Sequence, residues 1–296
     1  VAPAGGAADN PSIGRLESRT LGANALRATR IFSTFVTAFV LAVAAGQAHA
    51  RTAWNNIRSF AVGTRPIMDG KGVFTFKAPY RAMDQRRVPL SVKAAFHDGR
   101  TIKSITFVVD EDPMPIAATF RFADDRARAN IGFDIRLDHA SPVHAIVEAS
   151  DGKLYMSEHF VKASGLGVCA APPIDNEAVA LRTMGRMHLA DITGGDGAAN
   201  ATHFRRRAAP DIKHPQNTGM QMNQVTMLYI PLRYVSAIEV AEGGAKLFDV
   251  KGSMTLSENP HIALDYRPNG ANVLKVTVKD TSKSVWRHAF PTGSGS

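Results

Sequence analysis

The sequence predicts an all-β protein built from two β-sandwiches joined by a linker with a short helix. Three observations predict it. Apolar side chains alternate with others over several short segments, the period of a strand with one face on a core. Turn pairs such as Asp98-Gly99, Ser141-Pro142 and Asp151-Gly152 separate those segments, at the spacing of a sandwich. A run of small residues closed by Pro172-Pro173 divides the chain into two strand-rich stretches. At 296 residues, 45% apolar and 21% charged, the chain has the length of about two domains and the composition of a packed core.

The first fifty residues read as an address. Arg27 and Arg30 precede an apolar run from Ile31 to Ala45, followed by Gly46-Gln47-Ala48-His49-Ala50. A basic start, a short apolar centre and a small-x-small end form a secretory signal, with cleavage expected after Ala50. The run is shorter than the roughly 20 residues that span a bilayer, so no membrane span is expected after cleavage. Residues 1–50 carry four Arg and two acids, so their removal lowers the formal net charge from +9 to +7. Export argues against nucleic acid as the partner of this basic chain. An acidic protein outside the cytoplasm is the better use of the charge, and the expected location is the periplasm.

The mature chain opens with Trp54, Ile57 and Phe60 at helical spacing. Period-two segments follow: Val88 to Phe96, Ile116 to Phe122, Ile131 to Leu137 and Val143 to Ala149. The first sandwich is expected over 51–173, ending in an arm, and a linker with a first strand over 174–200. A short helix is expected from Asn176 to Met184, capped by Asp175 or Asn176. The second sandwich is expected over 201–291, with strands at Val225–Ile230, Val235–Val240, Lys246–Val250, Ile262–Tyr266, Leu274–Val278 and Val285–Phe290. Pro210 confines the segment around it to a sheet edge or a bulge. Residues 292–296 form a tail.

Chemistry concentrates at one residue. Cys169 is the only cysteine, so no intramolecular disulfide or four-cysteine zinc site is open to the chain. Its neighbours Gly165, Gly167, Ala170, Ala171 and Pro172 are small, which leaves a thiol accessible and lets the backbone enter a narrow cleft. Two Met/His clusters, Met184 to His188 and His214 to Met222, have the ligand chemistry of Cu(I) but read better as core packing and an irregular loop. Asp110-Glu111-Asp112-Pro113 lacks the ligand spacing of a calcium loop and reads as a solvated turn. Arg205-Arg206-Arg207 reads as a solvated loop or strand end. No metal-protease pair, nucleophile elbow, phosphate loop or cofactor motif is present. The absence of a self-contained catalytic set favours a carrier or binding protein over an enzyme.

Longer motifs carry a resemblance. The first half contains Ala78-Pro79-Tyr80-Arg81-Ala82-Met83-Asp84, Val109-Asp110-Glu111-Asp112-Pro113-Met114-Pro115, and Phe160-Val161-Lys162-Ala163-Ser164-Gly165 leading to Cys169. It resembles SoxY, half of a thiosulfate-oxidising carrier. The second half contains Ile212-Lys213-His214-Pro215, Thr218 to Val225, Ser257-Glu258-Asn259-Pro260 and Tyr266-Arg267-Pro268-Asn269-Gly270. It resembles SoxZ. The single-chain order is similar to fused SoxYZ-like carriers associated with quinoprotein (PQQ-dependent) alcohol dehydrogenases. The resemblance implies immunoglobulin-like sandwiches and a sulfur intermediate held covalently on Cys169. The arm it implies includes Ser164, Gly165, Gly167 and Ala170. It implies periplasmic redox enzymes or a quinoprotein dehydrogenase as partners, and two copies can pair through a Cys169 disulfide. An alternative is a non-covalent adaptor or assembly factor for a periplasmic PQQ-dependent alcohol dehydrogenase, with Cys169 incidental. The arm departs from the family's free Gly-Gly-Cys-Gly-Gly-like end: Leu166 and Val168 flank the glycines, and both ends are tethered.

Overall fold

The computed structural model describes residues 53–165, 167, 169, 177–190 and 206–292. The signal segment, its cleavage position, Ala170, the capping candidates Asp175 and Asn176, and residues 293–296 lie outside the described residues. Two sheets make up the fold, and alternation is the reason they form. In β3 (Val88–Ala95) every second side chain is buried, and β6 (Arg128–Ile135) follows the same rule with Ala129, Ile131, Phe133 and Ile135 inward.

The first stretch also supplies β1 (Ile67–Asp69), β2 (Phe74–Lys77), β4 (Ile102–Val109), β5 (Ile116–Phe122), β7 (Ser141–Ala149) and β8 (Leu154–Val161). The second supplies β9 (Met187–Ala190), β10 (Arg206–Ile212), β11 (Val235–Glu242), β12 (Ala245–Gly252), β13 (Ile262–Tyr266), β14 (Val273–Asp280) and β15 (Val285–Pro291). The larger sheet has the order β1-β8-β7-β4-β5-β12-β11-β14-β15, and the smaller β2-β3-β6-β13-β10-β9. Among the described strands β1 and β8 pair in parallel and the other strand pairs are antiparallel.

Both sheets therefore run without a break through both halves of the sequence. In the larger sheet β5 pairs with β12, Phe120 opposite Val250. In the smaller, β6 pairs with β13, Phe133 opposite Ile262 and Ile131 opposite Leu264. These pairings bury strand edges that each half would otherwise present as templates for aggregation. Between the sheets, Phe107, Phe120 and Phe133 meet in edge-to-face contacts, with the Phe107 and Phe133 centroids 4.6 Å apart. That geometry suits aromatic quadrupoles. One apolar cluster includes buried side chains from both halves, from Phe74 to Val278.

Helix α1 (53–62) lies on the outer face of the larger sheet. Trp54, Ile57 and Ala61 pack with Val62 against Val108, Ile146 and Leu154, and Trp54 stacks on the buried His144 ring at 4.1 Å. Phe60 corrects the expected apolar face, being 84% exposed. The stripe follows 54, 57 and 61, and position 60 falls outside it at 3.6 residues per turn. Helix α2 (Glu177–Thr183) lies where a short helix is expected. Val225–Ile230 is the second correction. It forms a tight hairpin tip rather than a strand, because the Asn223 Oδ1 accepts the Val225 and Thr226 N–H groups at 2.9 and 3.0 Å and turns the backbone. Pro210 is the third. It lies inside β10, opposite Leu189 of β9, and β10 also pairs with β13 from Arg206 to Ala208 and again at the Asp211–His261 bridge, so the strand has neighbours on both sides.

A shared core implies one unfolding event. The two tryptophans, Trp54 and Trp286, report on the two halves. In Trp54→Phe and in Trp286→Phe, the urea midpoint by fluorescence should coincide with that by far-UV circular dichroism. Separate midpoints for the two halves would contradict the shared core.

Candidate functional site

Strand registers place Cys169 at one end of the sandwich. The inter-strand pairs Val88–Ile135, Val109–Val143, Ser141–Val161 and Gly252–Ala118 all lie at that end. The loops emerging there are 78–87, 110–115, 136–140, 162–169, 213–234, 253–261 and 281–284.

The arm leaves β8 at Val161 and is pinned at once. Lys162 donates its N–H to Tyr80 O at 2.7 Å and accepts from Ala82 N at 2.9 Å. Ser164 and Gly165 are exposed. Gly165 has φ +139, and a Cβ there would strike the Gln85 side chain. Gly167 is buried, and a Cβ on it would collide with Leu137 O and come within 2.7 Å of Gln85 O. Only glycine fits so close a backbone approach. Leu137 N donates to the same Gln85 carbonyl at 2.8 Å. The arm is thus docked, and Cys169 follows it into a half-buried turn.

The residues beneath are charged and buried. Asp138 N donates to Asp112 Oδ1 at 3.1 Å, while Asp112 Oδ2 and Asp138 Oδ1 are buried with no hydrogen-bond partner among the described residues. Burial pushes the Asp112 carboxyl up to about 7, with the Asp138 charge adding to the rise and the Asp138 N–H opposing it. Burial, and then the negative charge of Asp138, push the Cys169 thiol above its ordinary value. A docked Cys169 is therefore a resting thiol, because the thiolate is the nucleophilic form. The burial of Asp110 and Asp112 corrects the reading of this turn as solvated. The β-hairpin that carries them folds back under the 136–140 loop.

The second half completes the floor. The buried Arg136 guanidinium donates to Gln216 O at 2.8 Å and Pro215 O at 3.2 Å, and Arg136 N donates to Thr255 O at 2.7 Å. Burial holds this guanidinium down to about 10. His214, a member of one Met/His cluster, is buried beside Asp280 and accepts the Gln216 N–H on Nδ1 at 3.1 Å. Burial lowers it to about 4, which makes it a neutral core group. Met187, from the other cluster, packs against the main core. Arg206 and Arg207 begin β10 and donate to Thr292 O and Asp265 Oδ1.

Of the expected arm residues, Ser164, Gly165, Gly167 and Cys169 lie together on this docked segment. Gln85, Asp112, Arg136 and Asp138 were not marked by sequence alone. They come from positions 26 to 80 apart in hydrogen-bonded pairs, and only the Asp-rich turn gave a signal.

This architecture defines an all-β protein with one thiol on a docked glycine-containing arm. Family comparison carries the description further. Residues 58–169 match the sulfur oxidation protein SoxY, and residues 206–291 match the sulphur oxidation protein SoxZ. One polypeptide thus fuses a SoxY domain to a SoxZ domain. Comparison with curated proteins gives no match. Among solved structures, the chain is similar to the sulfur carrier protein SoxY from Chlorobium limicola f thiosulfatophilum, with 20% identity, 40% of this chain and 96% of that one covered, and a TM-score of 0.33. It is also similar to a superoxide reductase (neelaredoxin) from Ignicoccus hospitalis, with 15% identity, 31% and 80% covered, and a TM-score of 0.26.

Two outcomes test the docked arm and its floor. Gly167→Ala should dislodge the arm and raise the rate of Cys169 alkylation severalfold near pH 8; an unchanged rate would contradict docking. The Asp112 carboxyl lies above its ordinary 3.8, so the folded protein holds a proton that the unfolded chain has released. The stability from this proton is present below about pH 4 and is lost as pH rises through about 7. Asp112→Asn should therefore be more stable than the parent by up to about 4 kcal/mol near pH 8, with the difference shrinking toward about pH 4 in urea unfolding. A pH-independent difference would count against the buried carboxyl.

Proposed function

We propose that the chain is an exported, periplasmic carrier that holds a sulfur-bearing group covalently on Cys169. The observation that carries this reading is that the SoxY match ends on the chain's single cysteine, half-buried on an arm with glycines at 165 and 167. Among the described residues no helix is long and apolar enough to cross a membrane.

The chemistry sets what a partner must supply. Joining the Cys169 thiol to the outer sulfur of thiosulfate forms an S–S bond and releases one proton and two electrons. A redox enzyme must accept those electrons. The single-chain order, similar to that of carriers associated with quinoprotein dehydrogenases, makes a periplasmic quinoprotein dehydrogenase one such partner. Loading is favoured when the arm leaves the Asp138 field, and the arm is held by the Lys162 backbone bonds and by the close approach of Gly167 to the Leu137 and Gln85 carbonyls. The carrier itself performs no catalysis.

Incubating the purified protein with thiosulfate or sulfide and native-host extract, then measuring intact mass, tests the reading. The parent should gain a reductant-labile adduct. Cys169→Ser should gain none while keeping its fold. An equal adduct on Cys169→Ser would overturn the assignment.

A further inference from the structure

The end of the sandwich that holds Cys169 differs from the remaining described surface. Tyr80 and Met83 project from the 78–87 loop, and Val225, Met227, Leu228 and Tyr229 from the 213–234 loop; these six are 66% to 97% exposed. The one other large apolar side chain as exposed, among the described residues, is Phe60 on α1. Soluble proteins seldom gather exposed apolar groups in this way without an interaction to serve.

The second loop is built, not frayed. Met222 and Tyr229 form an antiparallel bridge. Asn223 N donates to Leu228 O at 2.9 Å, Met227 N to Asn223 O at 2.9 Å, and Ile230 N to Gln221 O at 2.8 Å. Ile230 and Gln221 are buried at its base. The apolar tip is thus held out to solvent by its own hydrogen bonds, so little ordering entropy remains to oppose binding.

Charge at this end is one-sided. In its loops Arg81, Arg86, Arg87, Lys162, Lys213 and Lys283 are exposed, against one exposed carboxylate, Asp84, which Arg86 already pairs. A second copy would bring cations against cations, which disfavours self-association.

We propose that this end is a docking face for an acidic-rimmed protein whose apolar pocket receives the 225–229 hairpin tip while Cys169 enters its active site. The face deepens the carrier reading, and rests on it for what the partner does to the thiol. The hairpin comes from the SoxZ half and the thiol from the SoxY half, and the shared sheets hold the anchor and the root of the arm in one body. Apolar contact supplies the hold, and the cationic ring supplies orientation and encounter rate.

The test uses the full chain in its native host, carrying Cys169→Ser so that docking is read without loading. A photo-crosslinking residue replaces Leu228, or His97 at the opposite end as the control. A specific product from position 228 is expected. No product, equal products from both positions, or a product that is a second copy would overturn the proposal. So would hairpin-dependent sedimentation of the Cys169→Ser chain with anionic phospholipid vesicles. The captured protein is then purified and titrated against the chain. Binding should weaken about tenfold in Met227→Ser/Leu228→Ser and again between about 50 and 300 mM salt; unchanged binding in either arm would overturn the face. A chain that docks yet is never loaded at Cys169 refutes the carrier reading alone.

Discussion

The structure depends on a seam. Two pairs of strands, β5 with β12 and β6 with β13, turn what would be exposed edges of two half-sandwiches into the middle of two continuous sheets. A buried arginine closes each end of it. Arg126 donates to Asp265 O at 3.2 Å at the far end, and Arg136 reaches Pro215 O and Gln216 O at the arm end. Arg126 is also paired with the Asp124 carboxylate, whereas the Arg136 guanidinium is held by backbone carbonyls. Removing one would leave buried acceptors unpaired, at about 1–3 kcal/mol each. Gln85, Leu137 and Asp138 of the first half lie at the Cys169 arm, and Arg136 beside them ties that end to Pro215, Gln216 and Thr255 of the second.

That floor sets the chemistry of the thiol. A free cysteine on a solvated glycine arm would hold its thiol near the ordinary value. Here burial and the Asp138 charge raise it, so the resting arm suppresses its own nucleophile. The same burial that raises Cys169 keeps a proton on Asp112 near neutrality.

Much of the fold was legible in the sequence because it is local. Period-two alternation at 88–96, 116–122, 131–137 and 143–149 located β3, β5, β6 and β7, and the 3.6-residue spacing of Trp54 and Ile57 located α1. What was hidden depends on contacts between distant residues. Asp112 looks like part of a solvated acidic turn until the 136–140 loop covers it. Val225–Ile230 looks like a strand until the Asn223 side chain takes its first N–H groups. The seam itself has no local signature, since an inward-facing Phe120 reads the same whether its strand is an edge or a centre. Cys169 was legible by count alone; the berth that holds it was not.

The central claim is that Cys169 carries a sulfur group in the cell. The most direct measurement is the intact mass of the mature protein isolated from its native host, with and without a reductant. The account predicts an added mass that maps to Cys169 and disappears on reduction. A bare thiol at every stage of growth on a reduced sulfur source would contradict it.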